Sequence, residues 1–99
     1  MTVTYCPYKG IKKMRYLFMA EHMPEQLKEL RKQGMPAMDA YMDQVEKDYG
    51  RTITEYVNHW DRTHQHLKKD GDWDPWLKGL KMAQLNAQEV ALREVIEAL

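Results

Sequence analysis

Residues 36–69, PAMDAYMDQVEKDYGRTITEYVNHWDRTHQHLKK, decide the fold of this chain. Large apolar side chains recur in this stretch at steps of three and four residues, with one doubled step before the last of them. They are Met38, Met42, Val45, Tyr49, Ile53, Tyr56, Trp60 and Leu67. That spacing is the 3.6-residue period of one α-helix face. The stretch therefore predicts an all-α protein built around a long central helix.

Gly50 lies in the middle of this apolar face, where a helix would be expected to break. A glycine costs about 1 kcal/mol in a helix interior relative to alanine. Burial of the face offsets that cost, because each large apolar side chain contributes roughly 1.5–3 kcal/mol. The apolar phase is kept across Gly50, which favours one continuous or kinked helix over residues 36–69. Thr52 and Glu55 also form a capping box, so two helices that meet at Gly50 are the alternative.

Prolines and glycines divide the rest of the chain. We expect residues 1–9 to form an irregular lead-in. A first helix should begin at Gly10 or Ile11 and end by Met23. A second helix is expected from Pro24 to Gly34, because proline suits the first position of a helix and glycine its end. Prolines and glycines therefore bound two short helices ahead of the central one.

A second set of signals marks the end of the chain. Lys68 and Lys69 followed by Gly71 predict the end of the central helix. Asp74 as N-cap and Pro75 as first residue predict a final helix over residues 75–98. The fold class expected is a single-domain bundle, residues 1–99, of four to five helices.

The final helix is apolar over more than one side. Its apolar positions are Leu77, Leu80, Leu85, Ala87, Val90, Ala91, Leu92, Val95, Ile96 and Leu99. A helix with so wide an apolar arc is either deeply buried or contacts another chain. Homo-oligomerisation through this helix is therefore one expectation.

Composition excludes several classes of protein. The chain has 99 residues, of which 43% are hydrophobic and 30% charged, as in an ordinary globular domain. It contains no apolar run long enough to cross a bilayer, and its start lacks the apolar core of a signal peptide. Its single cysteine, Cys6, fits a reducing compartment. We expect a cytoplasmic protein with no membrane partner.

Catalytic and metal-binding patterns are missing from the sequence. There is no serine, which excludes a serine nucleophile, and Cys6 has no activating neighbour. His59, His64 and His66 are separated by five and two residues, which does not match the helical spacing of metal ligands. We therefore expect a non-enzymatic protein with no metal and no cofactor.

Protein binding is favoured by the side chains that dominate interfaces. The chain carries eight methionines, three tryptophans and six tyrosines, which adapt to or anchor partner surfaces. Filling of the core is the alternative use of the same residues. The candidate protein-binding residues are Trp73, Trp76, Tyr56 and Trp60.

Basic residues are concentrated in the first third of the chain. Residues 1–33 hold seven basic and three acidic side chains, a net charge of +4. The candidate nucleic-acid-binding residues are Lys9, Lys12, Lys13, Arg15, Lys28, Arg31 and Lys32. A sequence pI near 6.9 lies well below the value of about 9 that is typical of dedicated DNA-binding domains, so a solvated basic face is the alternative.

A series of short motifs covers residues 14–97. They are Arg15-Tyr16-Leu17, Glu21-His22, Pro24, Leu27 to Leu30, Gly34, Leu67-Lys68, Trp76-Leu77, Leu80, Ala87, Glu89-Val90 and Glu94-Val95-Ile96. Their order resembles that of the transposon-encoded TnpV-type proteins of bacterial mobile elements. At the N-terminus the sequence departs from the tryptophan–glycine opening expected of that family. It has Tyr5-Cys6-Pro7-Tyr8 there instead.

The resemblance implies a small accessory or regulatory protein of a mobile element, and it carries over no catalytic residues. Binding of a protein partner is the expected activity, with inhibition of a host defence nuclease, as anti-CRISPR proteins do, among its forms. The alternative is a nucleic-acid-binding accessory protein of transposition or recombination that uses the basic first third.

Overall fold

A computed structural model describes residues 6–99, and within them the chain is all-α, as predicted. Residues 6–9 of the predicted lead-in have no regular secondary structure. The four α-helices of this part of the chain are α1 (Ile11–His22), α2 (Pro24–Gln33), α3 (Met35–Thr63) and α4 (Asp74–Ala91). A 3-10 turn, Gln65–Leu67, follows α3, and a π-helical turn, Leu92–Ile96, extends α4. The long central helix and the long C-terminal helix are both confirmed.

The central helix runs unbroken through Gly50 for 29 residues. Thr52 lies inside it and donates from Oγ1 to the carbonyl of Asp48 at 2.8 Å. The alternative of two helices is therefore wrong, since Thr52 satisfies its hydroxyl within the preceding turn instead of capping a new helix. The helix ends at Thr63 and not at Lys69, because the backbone changes to the 3-10 turn after His64.

Burial is confined to one end of the molecule, which we call the proximal bundle and define as residues 11–45 and 83–96. Every buried residue of the described chain lies in these two ranges. The principal core cluster joins α1, α2 and the first turns of α3, and consists of Tyr16, Met19, Met23, Leu27, Met38 and Met42. Packing of α1 and α2 against the start of α3 therefore makes this core cluster.

Small residues bring α4 against α3. Ala83, Ala87 and Ala91 are buried at four-residue spacing, and Gly79 precedes them at the same interval. Such residues allow two helix backbones to approach closely because they have little or no side chain. A π-helical turn contains one more residue than an α-helical turn. The inward position after Ala91 is therefore taken by Ile96, which is 2% exposed, and not by Val95, four residues after Ala91, as in a regular α-helix.

Arg15 fastens the C-terminal end of the chain to α1. Its guanidinium is buried and donates from Nη1 to the carbonyls of Ile96, at 2.9 Å, and Ala98, at 2.5 Å. Nε and Nη2 donate to the hydroxyl of Tyr41 at 3.1 and 2.9 Å. These bonds satisfy carbonyls that the end of a helix leaves without partners.

The distal hairpin, which we define as residues 46–82, has a different character. It contains the second half of α3, the connecting turns and the first half of α4, and none of its residues is buried. The described chain measures 58 × 28 × 20 Å with a radius of gyration of 17.8 Å. A compact domain of 100 residues has about 13 Å, so the hairpin extends from the bundle as an arm. None of the helices in residues 6–99 combines the length and the apolarity that membrane crossing needs.

Candidate protein-binding surface at the hairpin tip

The tip of the distal hairpin is a tight turn between α3 and α4. Lys69 and Asp72 exchange two backbone hydrogen bonds, and Gly71 between them has a φ of 79°. That left-handed conformation favours glycine, which has no Cβ to clash. The side chain of Asp72 then accepts the backbone N–H of Asp74 at 3.1 Å. The prediction that Asp74 is the N-cap was therefore wrong, because Asp74 is the first helical residue and Asp72 is the acceptor.

Asp61 connects the two helices at the tip. One of its carboxylate oxygens, Oδ1, accepts the indole N–H of Trp76 at 2.9 Å and the side-chain amide of Gln65 at 2.9 Å. The ammonium of Lys68 lies 3.7 Å from the same oxygen. A single carboxylate thus holds α3, the 3-10 turn and α4 together.

Lys68 also lies against both tryptophans of the tip. Its Nζ is 4.4 Å from the ring centre of Trp76 and 5.2 Å from that of Trp73. The two indoles meet edge to face, with centres 5.9 Å apart and planes at 72°. Cation–π and edge-to-face contacts of this kind each contribute roughly 0.5–1.5 kcal/mol. They hold Trp73 in place although 53% of its surface is exposed.

Trp60 closes the hairpin from the side of α3. Its ring lies on Gly79, and a Cβ added to that glycine would lie 2.8 Å from the ring atom Cη2. The ring of His64 stacks on the ring of Trp60, with ring centres 4.4 Å apart and planes at 10°. His64 Nδ1 is 2.7 Å from the carbonyl of Trp60. Because a carbonyl only accepts, Nδ1 carries the proton in this contact.

The four predicted protein-binding residues all lie in the distal hairpin but differ in access. Trp73 is exposed, whereas Tyr56, Trp60 and Trp76 are half-buried. Trp60 and Trp76 support the hairpin from within, and Trp73 presents its ring to solvent. The tip surface, as we use the term, consists of Trp73, Trp76, Lys68 and Asp61.

Three apolar residues of α4 are exposed, and two of them, Leu77 and Leu85, belong to the predicted wide apolar arc of the final helix, whereas Met82 does not. Leu77, Met82 and Leu85 have 46%, 58% and 55% of their surfaces exposed. The predicted arc did not reveal that α3 would contact only the alanine side of α4.

Three of the seven predicted nucleic-acid-binding residues contact other side chains or backbone of the protein, and of these Arg15 is buried, Lys12 is half-buried and Arg31 is exposed. The guanidinium of Arg15 donates hydrogen bonds to the carbonyls of Ile96 and Ala98. Arg31 lies over the ring of Tyr16 at 5.4 Å and donates to its hydroxyl. Lys12 forms a 2.6 Å ion pair with Asp43. This hydrogen bond lowers the pKa of Asp43 and raises the pKa of Lys12.

The other four, Lys9, Lys13, Lys28 and Lys32, are also exposed, and among the described residues none of them forms a contact of this kind. Glu21, Glu25 and Glu29 are exposed on the same two helices, so the surface carries mixed charge. Of the residues described, no three His, Cys, Asp or Glu side chains gather in a group suited to a metal ion.

Comparisons of the chain with protein-family models, with characterised proteins and with solved structures find no match. The resemblance to TnpV-type proteins thus stays a prediction that rests on the short motifs quoted above.

Proposed function

We propose that this protein is a non-enzymatic binding protein that docks a protein partner on the tip surface of its distal hairpin. One observation carries the proposal: the hairpin holds all three tryptophans of the chain, and none of residues 46–82 is buried. Aromatic side chains left accessible at one corner are characteristic of interaction sites, because tryptophan and tyrosine dominate binding hot spots.

The contacts around Trp73 support a preorganised site. Trp76 is fixed by its hydrogen bond to Asp61, and Lys68 packs on both indoles. A partner that covers Trp73 gains apolar burial without having to order a flexible side chain, which is a principal cost of association. Rigid aromatic anchors of this type suit a shallow pocket on a folded partner.

The resemblance to TnpV-type proteins supplies the biological setting of the proposal. In that setting the protein serves a bacterial mobile element as an accessory or regulatory factor, and its partner is a protein of the element or of the host. Inhibition of a host defence nuclease is one form that such docking takes.

Two exposed side chains allow a controlled test. Trp73 and Met35 have the same exposed fraction, 53%, but lie at the hairpin tip and at the start of α3 respectively. A tagged protein would be used to capture its partner, and the purified partner would be titrated by calorimetry. We expect Trp73→Ala to weaken binding at least about tenfold, as for a hot-spot tryptophan, and Met35→Ala to leave it unchanged. Equal affinity of Trp73→Ala and the parent protein would refute the proposal, as would failure to capture any partner.

The alternative function is binding of nucleic acid through the exposed lysines of α1, α2 and the segment just before α1. It is supported by Lys9, Lys13, Lys28 and Lys32, which remain at the surface. Binding through phosphate contacts falls steeply with salt, because counterions are released. A duplex DNA titration at about 50 mM salt should then give an affinity that drops on raising the salt and on mutation of Lys28 and Lys32 to Glu. Absence of binding at the low salt concentration would end this alternative.

A further inference from the structure

Gly50 is a weak point of α3 that packing does not explain. A Cβ added to it would meet no other side chain of the described residues within 4 Å. Its φ is not in the left-handed region that favours glycine. Glycine is the weakest helix former after proline. At Gly50, α3 therefore has reduced helix propensity where neither a close contact nor the backbone conformation requires it, and the helix bends more easily there.

Thr52 adds a second irregularity to the same turn. Its Oγ1 donates to the carbonyl of Asp48 at 2.8 Å, one helical turn back across Gly50. A threonine hydroxyl bonded to the carbonyl four residues earlier shares that acceptor with the backbone N–H, and it often bends a helix. Kinks occur where glycine is present or where a side chain enters the hydrogen-bond ladder. Both conditions are met within residues 48–52.

The helix α4 has an irregular turn at nearly the same level. The ring of Trp60 lies on Gly79, and this contact aligns the two antiparallel helices. Gly50, ten residues before Trp60, is then level with a point about ten residues after Gly79. The π-helical turn Leu92–Ile96 begins three residues beyond that point, about 5 Å along the helix axis. Kinks also occur at π-helical turns, so weak points of both helices lie side by side.

The bundle holds both helices up to these weak points. On α3, Asp43 is paired with Lys12, and the hydroxyl of Tyr41 accepts from Arg15. On α4, the carbonyl of Ile96, the last residue of the π-helical turn, also accepts from Arg15. Past the weak points, α3 and α4 cover each other and the short 3-10 turn joins them.

Weak points at one level permit one kind of motion. Two antiparallel helices joined at their tip bend together without sliding only about an axis that crosses both at the same level. The axis through Gly50 and the π-helical turn meets this condition. The contact of Trp60 with Gly79 lies wholly beyond this axis. So does the hydrogen bond of Trp76 to Asp61, and both contacts are kept when the helices bend there.

We infer that Gly50 and the π-helical turn Leu92–Ile96 form a hinge, about which residues 51–91 move as one body out of the plane of α3 and α4. Hinges of this kind consist of a few residues that absorb the change in backbone angles. The motion changes the direction in which the tip surface faces and leaves its internal contacts unchanged. The inference goes beyond the proposed function and does not depend on a partner.

Spin labels on the two sides of the hinge would measure the motion. Lys28 in the bundle and Arg62 near the tip are exposed and would be replaced by cysteine in a Cys6→Ala background. Pulsed dipolar EPR in frozen solution gives the distribution of distances between the labels. The pair Arg62 and Asn86, also exposed, lies wholly beyond the hinge. We expect the first pair to give a distribution at least about twice as wide as the second, because hinge motion is added to label motion.

A double variant tests whether Gly50 and Thr52 are the cause. Gly50→Ala places a Cβ in open space, and Thr52→Val keeps the shape of threonine without its hydroxyl. Together they should remove most of the difference in width between the two label pairs. Thr54→Ala is the matched control, since Thr54 is exposed on α3 beyond the hinge. It raises helix propensity but should leave the width unchanged. Circular dichroism would check that all variants keep the parent helix content.

Equal widths for the two label pairs in the parent protein would overturn the inference. So would an unchanged width in the double variant, or an equal narrowing by Thr54→Ala, because general strengthening of α3 would then be the cause. Trp73→Ala should leave all widths unchanged. The labels report without a partner, so this inference and the proposed function fail separately.

Discussion

The proximal bundle and the distal hairpin share one helix, α3, yet its two halves are in different environments. Met38 and Met42, in the first half, have 2% and 0% of their surfaces exposed. Tyr56 and Trp60, in the second half, continue the same apolar face and are only half-buried. The difference arises because α1 and α2 pack on α3 in the bundle in addition to α4, whereas in the hairpin α3 is covered only by α4 and the short 3-10 turn. One continuous pattern in the sequence thus serves a core at one end and an accessible surface at the other.

Shortening of apolar side chains at the two ends of α3 should have unequal effects. Met42→Ala removes a fully buried side chain and should lower the free energy of unfolding by about 2–5 kcal/mol. Ile53→Ala removes a half-buried one and should cost about 1 kcal/mol. Urea denaturation of both variants measures these values. Similar losses would mean that the hairpin is as tightly packed as the bundle.

Arg15 tests what holds the C-terminal turn on the bundle. Arg15→Met preserves much of the side-chain length but leaves the carbonyls of Ile96 and Ala98 and the hydroxyl of Tyr41 without their donor. We expect a loss of about 1.5–3 kcal/mol in denaturation experiments, as for hydrogen bonds to a charged group. Arg15→Lys should not recover it, because an ammonium lacks the planar set of donors that reaches all three acceptors. Full recovery by lysine would argue against this geometry.

Two helical glycines provide a matched pair within the hairpin. Gly50→Ala places a Cβ in open space and should stabilise the protein by up to about 1 kcal/mol through helix propensity. Gly79→Ala gains the same propensity but forces Trp60 off α4. We expect its melting temperature to fall below that of the parent, with a change in tryptophan fluorescence. A rise in melting temperature for both variants would show that the contact of Trp60 with Gly79 contributes nothing.

The smallest effect is expected from the exposed ion pair between Lys12 and Asp43. The pKa of Asp43 is lowered by this contact, so its contribution is present at neutral pH and is lost as pH falls through the lowered value. The pKa of Lys12 is raised, so the loss on the alkaline side begins only above the usual lysine range. Melting temperatures of the parent and Asp43→Asn, compared between pH 7 and acid, should converge at low pH. A constant difference would contradict the assignment.

The parts of the fold that depend on local pattern were predictable. The unchanged phase of the apolar face across Gly50 gave the continuous central helix, and Pro24 and Gly34 gave the bounds of α2 closely. The end of α3 was placed too late because Leu67 continues the apolar spacing, although it lies in the 3-10 turn. Over three residues, apolar spacing alone does not distinguish an α-helix from a 3-10 helix.

Features that depend on distant contacts were not predictable. Arg15 was assigned to a basic surface, but it is buried through carbonyls more than eighty residues away in the chain. The roles of Trp60 and Trp76 likewise depend on Gly79 and Asp61 of the opposite helix. Trp73 was a candidate protein-binding residue on composition alone, and 53% of its surface is exposed.

Hydrogen exchange measured residue by residue tests most directly the claim that a packed bundle carries an uncovered hairpin. In dilute protein, amides of residues 53–60 and 77–82 should exchange at least about tenfold faster than those of residues 16–19 and 38–42, because segments with little burial open at lower free energy. Equal protection of the four segments would show that the hairpin opens only with the whole molecule. That result would contradict the division between bundle and hairpin.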